Sequence, residues 1–191
     1  MLPARLGRIL LAGALLLALA GTPLAAENQI RSAEILSTED GYVLNADIDL
    51  ALTGRLEEAI RRGVSVYFTT ELEISRPRWY WLDEEVVHRT LEYRLSYHAI
   101  TRSYRLSVGS LHQSFETLEE AIRTMLRLRN WSVAERSALS PGQSYKVALR
   151  MALDTTQLPK PFLVTVIGSK DWNLATDWMR WTFLATAGEA R

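Results

Sequence analysis

Val64-Ser65-Val66-Tyr67-Phe68-Thr69-Thr70-Glu71-Leu72-Glu73-Ile74 alternates with a period of two residues. Val64, Val66, Phe68, Thr70, Leu72 and Ile74 fall on one face of an extended chain, and Ser65, Tyr67, Thr69, Glu71 and Glu73 on the other. A strand with one apolar and one wet face belongs to an antiparallel sheet, because a parallel sheet is covered on both sides and its strands are apolar throughout. Residues 86–98 repeat the pattern, with Val87, Leu91, Tyr93, Leu95 and Tyr97 opposing His88, Thr90, Glu92, Arg94, Ser96 and His98. Tyr104, Leu106 and Val108 continue it after a break at 99–101, which predicts a hairpin. Upstream, Tyr42, Leu44, Ala46, Ile48 and Leu50 alternate with Val43, Asn45, Asp47 and Asp49; downstream, Tyr145, Val147, Leu149, Met151 and Leu153 oppose Lys146, Arg150 and Asp154.

Two short helices interrupt these strands. Thr53 caps the first, Leu56, Ala59 and Ile60 make its apolar stripe, and Gly63 supplies the residue type that best closes a helix. Thr117 with Glu120 forms a capping-box pattern at the head of the second, whose stripe is Leu118, Ala121, Ile122, Met125 and Leu126. The hexapeptide Leu-Glu-Glu-Ala-Ile-Arg occurs at 56–61 and again at 118–123, each time after a pair of strands and before another, at 64–75 and at about 131–138. This suggests two strand–strand–helix–strand units. The expected fold is therefore α+β and β-rich: antiparallel, sandwich-like sheets with two short covering helices.

At the N-terminus Arg5 and Arg8 precede an apolar run from Ile9 to Ala20 and then Gly21-Thr22-Pro23-Leu24-Ala25-Ala26. These are the three regions of a secretory signal peptide, residues 1–26, with cleavage expected near Ala26. Twelve apolar residues are too few to span a bilayer, which needs about 20, so no stable membrane span is expected after cleavage. The expected address is the periplasm, and residues 27–191 are expected to form a single β-rich domain. The chain has 22 Lys+Arg, 22 Asp+Glu and no cysteine. Loss of Arg5 and Arg8 with the leader leaves 22 − 2 = 20 basic against 22 acidic residues. Such a balance gives no field to attract nucleic acid, and without disulfides the hydrophobic core must hold the domain.

Little points to catalysis. His88 and His98 share a strand face but lie ten residues apart, about 33 Å along an extended chain, too far for one metal. There is no nucleophile elbow, and no glycine-rich phosphate loop. Neither a catalytic residue, a metal nor a cofactor is expected. The aromatic residues lead elsewhere. Arg76, Arg78, Trp79, Tyr80 and Trp81 are packed into six positions, and Trp172 and Trp178 recur near the C-terminus. Trp and Arg dominate binding hot spots, since they bring large area with a polar handle, and these seven residues are the candidate binding set. Read as a strand, 79–81 would turn Trp79 and Trp81 to one face and Tyr80 to the other.

Around the same residues the chain resembles DUF4390, a family of uncharacterised exported bacterial proteins. The resembling segments are 63–68, Arg76-Pro77-Arg78-Trp79-Tyr80-Trp81, the 95–104 hairpin, Phe115-Glu116-Thr117-Leu118-Glu119-Glu120-Ala121, 153–161 and Asp171-Trp172-Asn173-Leu174. The resemblance implies an envelope protein and an accessory role beside a membrane sensor kinase; it implies no catalytic residue. The expected function is thus non-enzymatic, binding another envelope protein. The alternatives are a small-ligand or glycan-binding module that stacks its ligand on the Trp/Arg clusters and, third, a hydrolase.

Overall fold

The computed structural model describes residues 28–159 and 170–186; the expected signal peptide lies outside them. Nine strands and two helices are present among the described residues: β1 (Gln29–Ser37), β2 (Gly41–Asp49), α1 (Gly54–Arg61), β3 (Val66–Arg76), β4 (Glu84–His98), β5 (Ser103–Val108), β6 (Leu111–Phe115), α2 (Leu118–Met125), β7 (Arg127–Glu135), β8 (Ser144–Leu153) and β9 (Met179–Leu184). They form two antiparallel sheets, one in the order β1-β2-β7 and one in the order β6-β5-β4-β3-β8-β9. The β-rich α+β class and the antiparallel pairing read from the sequence are observed.

The alternation does what its chemistry requires. Val66, Phe68, Leu72 and Ile74 of β3 are buried on one face, flanked by Leu95 of β4 and by Val147, Leu149 and Met151 of β8. Tyr42, Leu44, Ala46 and Ile48 of β2 enter the same core from the smaller sheet. Tyr42 meets Phe183 of β9 edge-to-face at 5.8 Å, and Arg89 Nε of β4 donates to the Val133 carbonyl of β7 at 3.1 Å, so the two sheets touch at both places. The predicted hairpin pairs Leu95 with Leu106 and Tyr97 with Tyr104. Tyr93, Leu95 and Leu106 are buried, while His88, Glu92 and Arg94 face solvent.

Both helices start where their caps predict: the amide of Leu56 donates to Thr53 Oγ1 at 3.3 Å and the amide of Glu120 to Thr117 Oγ1 at 3.2 Å. Gly63, at φ +89°, takes the left-handed conformation expected after α1. α1 packs on β4, and α2 packs on β5, β6 and β7. Each helix carries the chain from one sheet to the other: β1-β2-α1 leads into β3 of the larger sheet, and β5-β6-α2 leads into β7 of the smaller.

Several boundaries differ from expectation. The strand expected at about 131–138 runs from Arg127 to Glu135, and Arg136–Ala138 is a 3₁₀ turn. Its alternation is masked because Asn130 adopts φ +53° and the register against β2 shifts between Leu44 and Ala46. β1 and β6 carry no clean pattern, while β9 alternates Met179, Trp181 and Phe183 with Arg180 and Thr182 over only six residues; none of the three was expected. Each is an edge strand, and β6 has no buried residue. β2 and β7 also approach closely at Gly41 (φ +148°), where a Cβ would lie 2.3 Å from the Ala134 carbonyl oxygen.

Candidate functional site

β3 and β4 are long partners, paired from Val66↔Leu95 to Arg76↔Glu84, and the connection between them is residues 77–83. Pro77 has no amide hydrogen to give a strand ladder, and the chain leaves β3 at Arg76. Trp79 to Trp81 therefore lie on a loop, not a strand, and the two-face reading of these residues does not hold. The consequence is greater display. Trp79 is 95 % exposed, Tyr80 66 %, Trp81 72 % and Leu82 78 %. Within the tip, Trp79 meets Tyr80 edge-on, 5.3 Å between ring centroids.

The neck beneath this tip is braced by charge. Glu84 accepts from Arg76, whose Nε lies 3.0 Å away, and from Arg78 Nη2 at 2.6 Å. Across the β3–β8 side, Lys146 Nζ donates to Asp83 Oδ2 at 2.7 Å. The hydrogen bonds from Arg76 and then Arg78 hold the Glu84 carboxyl below its ordinary value, and that from Lys146 does the same to Asp83. Arg76 and Arg78 are half-buried. Thus two of the expected binding residues serve as struts, and three, Trp79, Tyr80 and Trp81, stand free above them.

Trp172 and Trp178, adjacent in the expected set, separate in space. Trp172 is 5 % exposed and belongs to the core, so it offers no surface for a partner, and its place in the candidate set is corrected. Its segment is tied to α1: the Thr53 hydroxyl donates to the Asp171 carbonyl at 2.9 Å, and Arg55 pairs with the Asp171 carboxylate at 3.2 Å. Trp178 is half-buried, with the guanidiniums of Arg150 and Arg180 each 5.8 Å from its ring centroid, within cation–π range.

One constellation escaped the sequence. The wet face of β3, β4, β5 and β6 curves into a polar hollow of about 710 Å³, lined among others by Arg94, Arg105, His98 and His112. Strand hairpins bring these residues together: Arg94 pairs with Ser107, and Ser107 with His112. The signal was present in the alternation, since 94, 96, 98, 105, 107 and 112 are all off the apolar faces, but the β5–β6 pairing that joins them was not. Among the described residues no group of three His, Asp or Glu side chains is placed to hold a metal, and no described helix is long and apolar enough to cross a membrane.

Among known families, the model described as a domain of unknown function, DUF4390, matches residues 25–182. No curated protein and no solved structure matches.

Proposed function

This chain belongs to the DUF4390 family, and on that premise we propose that it is an exported, non-enzymatic binding protein of the bacterial envelope, docking through its β3–β4 tip onto another envelope protein, the sensory part of a membrane kinase. The observation that carries this reading is the tip itself: four consecutive large apolar side chains, Trp79 to Leu82, held in water on a braced neck. Exposed apolar surface of this kind is unfavourable in an isolated domain and marks a contact surface. Trp, Tyr and Arg are the residue types that hot spots favour.

Charge favours a protein over a bilayer as the surface met. Loops drawn to anionic lipid carry unpaired Lys and Arg around the apolar tip. Here Arg76 and Arg78 are both engaged by Glu84, and Lys146 by Asp83. The leader pattern at Arg5 to Ala26 supports export, and the lack of any cysteine fits a domain that stands on its core.

The test is a photo-crosslinking residue placed at 79 or 81 of the full chain in intact bacteria. The expected result is an adduct with one envelope protein, identified by mass, that does not form from the same residue at Ile100, which is 90 % exposed on the β4–β5 turn. Adducts with lipid alone, or the same products from both positions, overturn the reading. N-terminal sequencing of periplasmic material should begin near Glu27; full-length chain in the membrane pellet after alkaline washing overturns the export claim.

A further inference from the structure

The polar hollow on the outer face of the larger sheet is separate from the tip, and its chemistry is of another kind. Its floor is built from two guanidiniums on neighbouring strands, Arg94 of β4 and Arg105 of β5. Neither forms a salt bridge among the described residues. Arg94 Nη2 donates to Ser65 Oγ at 3.1 Å and its guanidinium lies 5.9 Å from the Tyr67 ring centroid, so it is held in place without being neutralised. Arg105 is half-buried and lines the hollow. Its Nε is enclosed with no hydrogen-bond partner among the described residues, so no group nearby offsets the charge that this side chain brings to the hollow. The lining carboxylate, Glu92, accepts from Gln157 Nε2 at 2.7 Å and does not reach either arginine as an ion-pair partner.

Serine hydroxyls surround this pair of cations: Ser65, Ser96, Ser107 and Ser110 all line the hollow. A hydroxyl both donates and accepts, which suits a ligand rich in hydroxyls. Arginine's planar fork suits carboxylate and phosphate alike. From these features we propose that the hollow binds a hydroxylated organic anion, a sugar acid or a sugar phosphate, with Arg94 and Arg105 taking the anionic group and the serines the hydroxyls. Neither the aromatic tip nor the docking it serves enters this assignment.

Amide shift mapping of the folded domain by NMR tests it, with digalacturonate and glucose 6-phosphate as the two anionic probes and maltose as the neutral one. The expected result is a saturable shift at Ser65, Arg94, Arg105 and Ser107 with one or both anionic probes and none with maltose; which of the two acts separates carboxylate from phosphate recognition. Arg94→Gln and Arg105→Gln should each weaken binding by about tenfold or more, the loss expected for a charged hydrogen bond. Leu36→Ala, on the edge strand β1 of the smaller sheet, should bind as the parent does. Maltose binding equally well, inorganic phosphate alone binding as tightly as glucose 6-phosphate, unchanged affinity in both arginine variants, or no saturable shift at millimolar probe overturns the proposal. Because shift mapping uses the unsubstituted protein, the result stands even where an arginine variant folds poorly.

Discussion

The six tryptophans divide by what their removal does to stability, and the division can be measured before any partner is known. Trp79 and Trp81 are 95 % and 72 % exposed, so truncation to alanine removes side chains that bury almost nothing. Surface changes of this sort shift stability by within about ±0.5 kcal/mol. Trp172, at 5 % exposure, is surrounded by core, and emptying such a site costs roughly 3–5 kcal/mol from lost transfer energy and the cavity left behind. For a domain of this length about 1 kcal/mol moves Tm by roughly 2–4 °C. Trp172→Ala is therefore expected to lower Tm by roughly 6–20 °C, and the double variant Trp79→Ala/Trp81→Ala by no more than about 4 °C. Thermal unfolding followed by far-ultraviolet circular dichroism reads both, and acrylamide quenching supplies the control, since the tip rings should account for most of the readily quenched fluorescence. A tip variant that melts as early as Trp172→Ala refutes the picture of a displayed loop. Those rings would then be structural.

Three further outcomes follow from particular atoms. Thr70 is fully buried in β3 and its hydroxyl has no partner among the described residues, so the near-isosteric Thr70→Val should raise stability by about 1 kcal/mol in chemical denaturation; a loss would mean that the hydroxyl is bonded. Gly41 sits at φ +148° with the Ala134 carbonyl where a Cβ would stand, so Gly41→Ala should destabilise by more than the 1 kcal/mol or so typical of a helix glycine change, and an unchanged melting curve would refute that close approach. The Glu84 carboxyl is held below its ordinary 4.5 by Arg76 and Arg78. A group depressed in the folded state contributes stability above its ordinary pKa and loses it as the pH falls through the folded value, so the neck should stay braced at neutral pH and loosen only in acid; a carbon-detected NMR titration placing the Glu84 midpoint at or above 4.5 would contradict the brace.

The parts of the fold legible in the sequence are those where one face of an element is buried and the other wet. β2, β3, β4, β5 and β8 show that contrast residue by residue, and Thr53 and Thr117 mark the helix starts through a side-chain oxygen that must meet an amide. The edge strands β1 and β6 lack the contrast, and β9 shows it only between half-buried and exposed residues. β1 buries only Ile30 and Ile35, five residues apart across a register shift between Ile30 and Ser32, and β9 has no fully buried residue. The candidate site was partly legible. Its aromatic composition was plain, but whether Trp79 or Trp172 faced water depended on where Pro77 ended β3 and on what packed over 170–172, neither of which is a local property. The hollow was least visible, because Arg94, Ser107 and His112 meet only through two hairpins.

The exchange of the chain between sheets has a consequence for how the molecule forms. The smaller sheet needs β7, yet β7 joins β2 through pairs such as Tyr42 with Ala134, so the residues from β3 through α2 must be threaded between two strands that become neighbours. The larger sheet likewise waits for β8, which pairs with β3 across the whole of β4 to β7. Closing loops of this length before any pairing is gained makes folding slow relative to a chain of local hairpins. Among the described strands, β1–β2, β3–β4, β4–β5, β5–β6 and β8–β9 join consecutive strands, whereas β2–β7 and β3–β8 do not. A chain cut short before β8 would leave β3 as an unpaired edge with its apolar face bare, which is the condition that favours aggregation. A chain that ends before β8 is thus expected to aggregate, and fragments that carry the tip alone should not be expected to report on its docking.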